Sequence, residues 1–164
     1  MKIDLTQNSE VSKLLKGIVI CKETGIYLLD LILDSNINPM LLSSFVGALS
    51  LFGTENMGKI EEITIKGLSI QMIIVNKFDL VLIAIMDKDF VKEDIREEAV
   101  KALDMFYHLY QSQIVDCTDV SQFESFKKIL YNQIVEYFKR INGSKKEKIR
   151  DFGFFTEAIA QTKN

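Results

Sequence analysis

The sequence predicts an α/β (α+β) sandwich, in which a five-stranded, mainly antiparallel sheet carries one helix on one face and two C-terminal helices on the other. Three stretches lead to it. Leu80 to Met86, LVLIAIM, is apolar at every position, as in a strand covered on both faces, so the sheet needs helices on each side. Ile60 to Lys66 alternates instead, Ile63 and Ile65 facing one way and Glu62, Thr64 and Lys66 the other, with Lys59 and Glu61 adding the charges of a guarded sheet edge. Asn38 to Phe52, NPMLLSSFVGALSLF, reads as a helix with no charge anywhere on it.

The elements follow in order. Ser9 to Lys16 predicts a short leading helix with Val11, Leu14 and Leu15 on its apolar side. Gly17 opens a strand over Ile18 to Cys21, and Lys22-Glu23-Thr24-Gly25 makes a hairpin loop with glycine at the left-handed position. Ile26 to Leu33 returns as the second strand, where Tyr27, Leu29, Leu31 and Leu33 share a face and Asp30 interrupts the other, again an edge trait. Asn38 then caps the uncharged helix, with Pro39, the only proline, at the first helical position where no N–H is needed.

That helix presents two arcs. Leu41, Leu42, Phe45, Val46, Ala48, Leu49 and Phe52 fill one of roughly 160°, the width expected against a sheet. Met40, Ser43, Ser44, Gly47, Ser50, Leu51 and Thr54 fill the other, where a solvated helix carries Lys and Glu. The expectation is that the large arc faces the sheet and the small one meets a partner.

After a loop from Gly53 to Gly58 come the edge strand at Ile60, a turn at Gly67, a strand over Leu68 to Val75, a hairpin loop over Asn76 to Asp79 and the apolar strand from Leu80. Lys92 to Ile114 predicts a helix with Ile95, Ala99, Leu103, Phe106 and Tyr110 inward and Glu93, Glu97, Lys101, Asp104 and His108 outward. Ser121-Gln122-Phe123-Glu124 matches a capping box opening a last helix, which buries Phe123, Phe126, Leu130, Ile134, Tyr137 and Ile141 and stops at Asn142-Gly143. Ser144 to Asn164 adds an amphipathic segment with Ile149, Phe152, Phe155 and Ile159. The organisation read from this is an N-terminal segment over 1–16, a domain over 17–141 and a basic, aromatic extension over 142–164.

With 164 residues, 26% charged residues and a net charge of -3, the chain suits one soluble domain and gives no reason to expect nucleic acid. Cys21 and Cys117 are scattered, which predicts reduced thiols in the cytoplasm. The N-terminus lacks the basic start and apolar run of a signal peptide, and the uncharged run is too short to span a bilayer.

The order strand, strand, helix, strand, strand, strand, helix, helix, with pieces such as GIYLLDL and LSSFVGALSLFG, resembles the longin-like domains of the roadblock/longin superfamily over about Gly17 to Ile141. The resemblance implies a non-enzymatic module that binds small GTPases, or a subunit of GTPase regulators or vesicle-trafficking complexes. It also implies pairing of two such modules, as a homodimer or as a heterodimer with a related one. A leading helix is a roadblock trait and two closing helices a longin trait, so the subfamily stays open. The alternative is a small-molecule sensor of PAS or GAF type, which needs a cavity lined by converging polar groups.

Motifs for chemistry are weighed and set aside. Gly53-Thr54-Glu55-Asn56-Met57-Gly58-Lys59 has the glycines and lysine of a phosphate-binding loop, but Ile60 stands where the magnesium-binding hydroxyl belongs, and the order of strand and helix is reversed. His108 is the only histidine, so no multi-histidine metal site and no cofactor are expected, and pairing it with Cys117 requires the chain to fold back within a few residues. Asp30 with Asp34, and Glu61 with Glu62, read as edge charges rather than as an acid and a base. Lys139, Arg140, Lys145, Lys146, Lys148 and Arg150 against Glu147 form a basic run with two readings. One is a solvated helix end whose cations suit the dipole; the other is contact with anionic lipid at a membrane periphery, or with an acidic partner.

Two outcomes follow for the edges of this reading. Gly47→Arg is expected to separate paired modules without unfolding them, because its side chain would point away from the sheet. Deleting the chain from Ser144 onwards is expected to leave a single cooperative thermal transition with little change in midpoint, since the domain closes at Ile141; a molten or insoluble product would place Phe152 and Phe155 in the core.

Overall fold

A computed structural model describes residues 9–90 and 94–143. The order is α1 (Ser9–Leu14), β1 (Leu15–Lys22), β2 (Tyr27–Ile32), α2 (Pro39–Asn56), β3 (Glu62–Lys66), β4 (Ile70–Lys77), β5 (Leu80–Asp87) and α3 (Ile95–Val115). A 3-10 turn at Val120–Phe123 and a helix α4 over 126–143 complete it. The chain divides between Leu130 and Tyr131 into two compact units. The basic and aromatic residues from Ser144 on lie outside the described residues.

The strands form one antiparallel sheet in the order β2-β1-β5-β4-β3. This places the wholly apolar β5 in the centre and the charge-bearing β2 and β3 at the edges, where unpaired backbone tolerates acids and lysines. Alternate residues of β1 and β5 divide between the faces. Val19, Cys21, Val81, Ile83 and Ile85 join Val46 of α2 and Ile74 in one buried cluster, with Ile63, Ile65, Met72, Leu42 and Leu49 partly buried around it. The opposite residues Leu80, Leu82, Ala84 and Met86 are buried too. α3 packs against β4 and β5 through Ile95, Ala99, Ala102, Leu103 and Phe106.

Local signals account for most boundaries. The Asn38 side chain accepts from the amides of Met40 and Leu41, and Pro39 begins α2 as its fixed φ suits. Gly25 has φ of +93°, the left-handed position the first hairpin requires. The second hairpin is tighter than the sequence suggests, because β4 runs to Lys77 and only Phe78 and Asp79 turn, at φ of 56° and 57°. Such a turn ordinarily takes Asn-Gly. Here the Phe78 ring stacks on Tyr107 of α3 with centroids 4.3 Å apart, a contact that offsets backbone strain.

The capping residue of the closing segment is not Ser121. Asp119 accepts from the amide and hydroxyl of Ser121 and caps the 3-10 turn, and α4 starts only after it. Phe123 and Phe126 sit in an aromatic cluster with Phe106 and Tyr110, edge-to-face and tilted at 5.1 to 6.1 Å. Leu130, Ile134, Tyr137 and Phe138 are buried along α4, whereas Ile141 is half-buried.

The largest correction concerns α2. The face against the sheet straddles the two arcs: Ser43, Val46 and Ser50 are buried, Leu42 and Leu49 are partly buried, and Gly47 meets the first hairpin so closely that a Cβ there would stand 2.7 Å from Gly25 Cα and from the Thr24 carbonyl oxygen. The helix axis therefore comes near β1 and β2, and the small residues make the approach sterically possible. Hydroxyls pose no obstacle, since Ser43 Oγ donates to the Pro39 carbonyl at 2.8 Å. The expected behaviour of Gly47→Arg is overturned, because that side chain would point into backbone. Gly47→Ala is expected to lower folding stability by about 1–3 kcal/mol, read by urea denaturation, and Gly47→Arg to abolish the cooperative transition.

Candidate protein-interaction surface

With its small residues turned inward, α2 presents its bulk to solvent. Met40, Leu41 and Leu51 keep between 63% and 69% of their surface, and Phe45 and Phe52 keep 45% and 56%. Ala48 is exposed between them, and no acidic residue occupies the first turn of the helix and no basic residue the last. Contiguous outward apolar groups of this kind mark interaction sites in soluble proteins. The flank of α2 that carries Leu42 and Leu49 continues onto the partly buried Ile63, Ile65 and Met72, so the apolar surface reaches the β3 edge.

Of the residues expected to meet a partner, Met40, Ser44, Leu51 and Thr54 are exposed, while Ser43, Gly47 and Ser50 belong to the packing against the sheet. Leu41, Phe45, Ala48 and Phe52, expected inside, are the exposed ones. Both arcs lack charge, so composition offered no contrast between them. The signal that separates them is Gly47 opposite the glycine of the hairpin, since two glycines at one crossing allow backbones to touch.

At one end of α2 an open depression is lined by Lys22, Glu23, Thr24, Ala48, Leu51, Thr54, Lys59 and Asp79. Lys59 closes it, with Nζ at 3.1 Å from Asp79 and 3.9 Å from Glu23. The Asp79 hydrogen bond raises the lysine pKa, and Lys59 in turn lowers that of Asp79. This is where the phosphate-loop look-alike ends: Gly53 lies in the last turns of α2 packed on Ile60, its carbonyl accepts from Met57 N, Gly58 has φ of +91°, and the lysine is held by carboxylates. It is a helix exit.

The other candidates are dispersed. His108 is exposed on α3 and turns an edge to Phe78 at 6.3 Å. Asp30 accepts from the Tyr27 hydroxyl, and Glu62 pairs with Arg96 Nε at 2.6 Å. Lys139 pairs with Glu136 at 3.4 Å, and the Arg140 guanidinium lies 5.8 Å from the Tyr137 ring. Lys145, Lys146, Lys148 and Arg150 lie outside the described residues. Among the described residues no group of three or more His, Cys, Asp or Glu is placed to hold a metal, and no helix is long and apolar enough to cross a membrane.

No protein-family model and no curated protein matches the chain. Solved structures do. Myxococcus xanthus MglB superposes with a TM-score of 0.51 at 14% identity, over 68% of this chain and 99% of that one. The fold is roadblock/longin-like. A roadblock/LC7 domain from Streptomyces avermitilis aligns with a TM-score of 0.49 at 10% identity, over 62% of this chain and 90% of that one. The gliding protein MglB of Thermus thermophilus gives 0.44 at 10% identity, over 62% and 85%. Within the roadblock/longin-like frame α2 is the helix of one sheet face, and its outer surface gathers five large exposed apolar side chains.

Beneath that helix lies Cys21, whose thiol burial pushes up to about 11, with contact to Ser43 opposing the shift. The folded thiol holds its proton to higher pH than an unfolded one, so its contribution to stability is complete below pH 9.0 and is lost as pH rises through about 11. Native alkylation at neutral pH is expected to modify Cys117 alone, with Cys21 reacting only on unfolding, as mass spectrometry with and without denaturant would read.

Proposed function

We propose that this protein is a non-enzymatic, cytoplasmic regulatory module for a small GTPase, working as a pair of modules joined through the outer face of α2. The observation that carries the pairing is that face: five large apolar side chains exposed on one helix. Each gains about 1.5–3 kcal/mol on full burial, so two such faces brought together supply a favourable contact of the size that stable interfaces need, above about 1,000 Å². The roadblock/longin-like fold supports the GTPase part, since domains resembling this one serve small GTPases and trafficking complexes. The inward-facing apolar filling between α2 and the sheet favours this reading over a sensor of PAS or GAF type.

Leu41→Asp and Phe45→Asp are expected to convert a dimeric mass in sedimentation to that of a monomer, with the helical circular dichroism unchanged. Unaltered pairing would remove α2 from the interface. Pull-down against the small GTPases of the same cell, in both nucleotide states, is expected to retain one of them; no retention, together with unchanged turnover and exchange, would end the GTPase reading.

A further inference from the structure

The turn between β4 and β5 holds two consecutive residues, Phe78 and Asp79, in the left-handed region. Neither is glycine, and the phenylalanine has no polar group with which to bond its own backbone there, so the turn stands only while contacts from outside it offset the strain. Those contacts come from three places.

The first is α3. Tyr107 lies flat on the Phe78 ring, with 13° between the planes, and Lys77 Nζ stands 5.0 Å from the centroid of that ring while it pairs with Asp104, one helical turn before Tyr107. Gln111 donates to the Tyr107 hydroxyl at 2.9 Å and so steadies the stacking ring. The second is the exit of α2, where Lys59 Nζ donates to the Asp79 carboxylate at 3.1 Å. The third is the first hairpin, whose Glu23 N–H donates to the Asp79 carbonyl at 2.9 Å. Phe78 is thus held by α3, and Asp79 by the hairpin and the end of α2.

We propose that this strained turn is a conformational clasp that couples the surface of α3 at Tyr107 to the depression at the end of α2. Seated, it keeps Asp79 on Lys59 and Glu23. When the Phe78 ring leaves Tyr107, the left-handed pair loses the contact that offsets its strain, the turn rearranges, and the Asp79 carbonyl leaves Glu23. The two events are joined because backbone wells are discrete: a non-glycine residue that quits the left-handed region crosses to another well, and cannot deform gradually between them. A two-state element biased from both sides is what coupling between separate sites requires. A partner that takes Tyr107 for itself is therefore felt at Lys59, and one that draws Lys59 from Asp79 is felt at Tyr107. An Asn-Gly turn would be unstrained and would transmit nothing. The clasp stands apart from the pairing proposed above, since it uses none of the outward side chains of α2.

Amide hydrogen exchange by NMR reads the Glu23 N–H. Tyr107→Ala is expected to speed its exchange about tenfold or more, while the amides of Lys22 and Gly25, which bond within the hairpin to Ile26 and Lys22, keep their rates. Adding Phe78→Asn and Asp79→Gly to Tyr107→Ala is expected to restore slow exchange, because the relaxed turn needs no ring to hold it. In the other direction, Lys59→Ala is expected to move the Phe78 ring resonances out of the ring-current shifts of the stack. A Glu23 rate untouched by Tyr107→Ala, or a loss that the double replacement does not reverse, would overturn the clasp. So would a Phe78 ring unmoved by Lys59→Ala. Lys59 is exposed, so this last arm decides even where Tyr107→Ala does not fold. The α2 variants and the GTPase pull-down report separately, as they alter none of these residues.

Discussion

The tightest constraint in the structure is the crossing of Gly47 over Gly25. Two backbones approach there to a distance that leaves no room for a methyl group, and this fixes the height and rotation of α2 over the sheet. The rest follows from that rotation. Ser43, Val46, Ser50 and Gly53 become the inner face, Cys21 is covered, and the Phe and Leu residues of the outer arc have nowhere to go but outward. Close packing of small groups thus places large ones at the surface, the reverse of the usual division of a surface helix.

Where the pattern in the chain is one of contrast, the sequence is a good guide. LVLIAIM lies at the centre of the sheet, and the strands with a charge in mid-strand or alternating charges, β2 with Asp30 and β3 with Glu62 and Lys66, lie at its edges, because a central strand has no solvent face to put a charge on. Asn38-Pro39 begins its helix as capping chemistry dictates. The orientation of α2 was not legible, because neither of its two arcs carries a charge to mark the solvent side. The two-residue turn at Phe78-Asp79 was also hidden, since its residues are ordinarily poor there and what holds them, the ring of Tyr107, is distant in sequence.

The ion pairs between α3 and the sheet are of modest strength. Lys77 reaches Asp104 at 2.7 Å and Arg96 reaches Glu62 at 2.6 Å, tying α3 to β4 and β3 across partly exposed ground. Pairs of this type contribute about 0–1 kcal/mol each. Their role is positional, holding α3 in register with β4 and the edge strand β3.

The two edges of the sheet are unlike, and the difference would limit any edge-to-edge assembly. β2 has Asp30 in mid-strand and the 3-10 turn Val120–Phe123 packed against it, whereas among the described residues no strand pairs with the outer side of β3. A sheet with two sticky edges polymerises head to tail into a fibre; a sheet with one can only close on itself. Guarding β2 is therefore what makes such a β3 edge tolerable in a crowded cell.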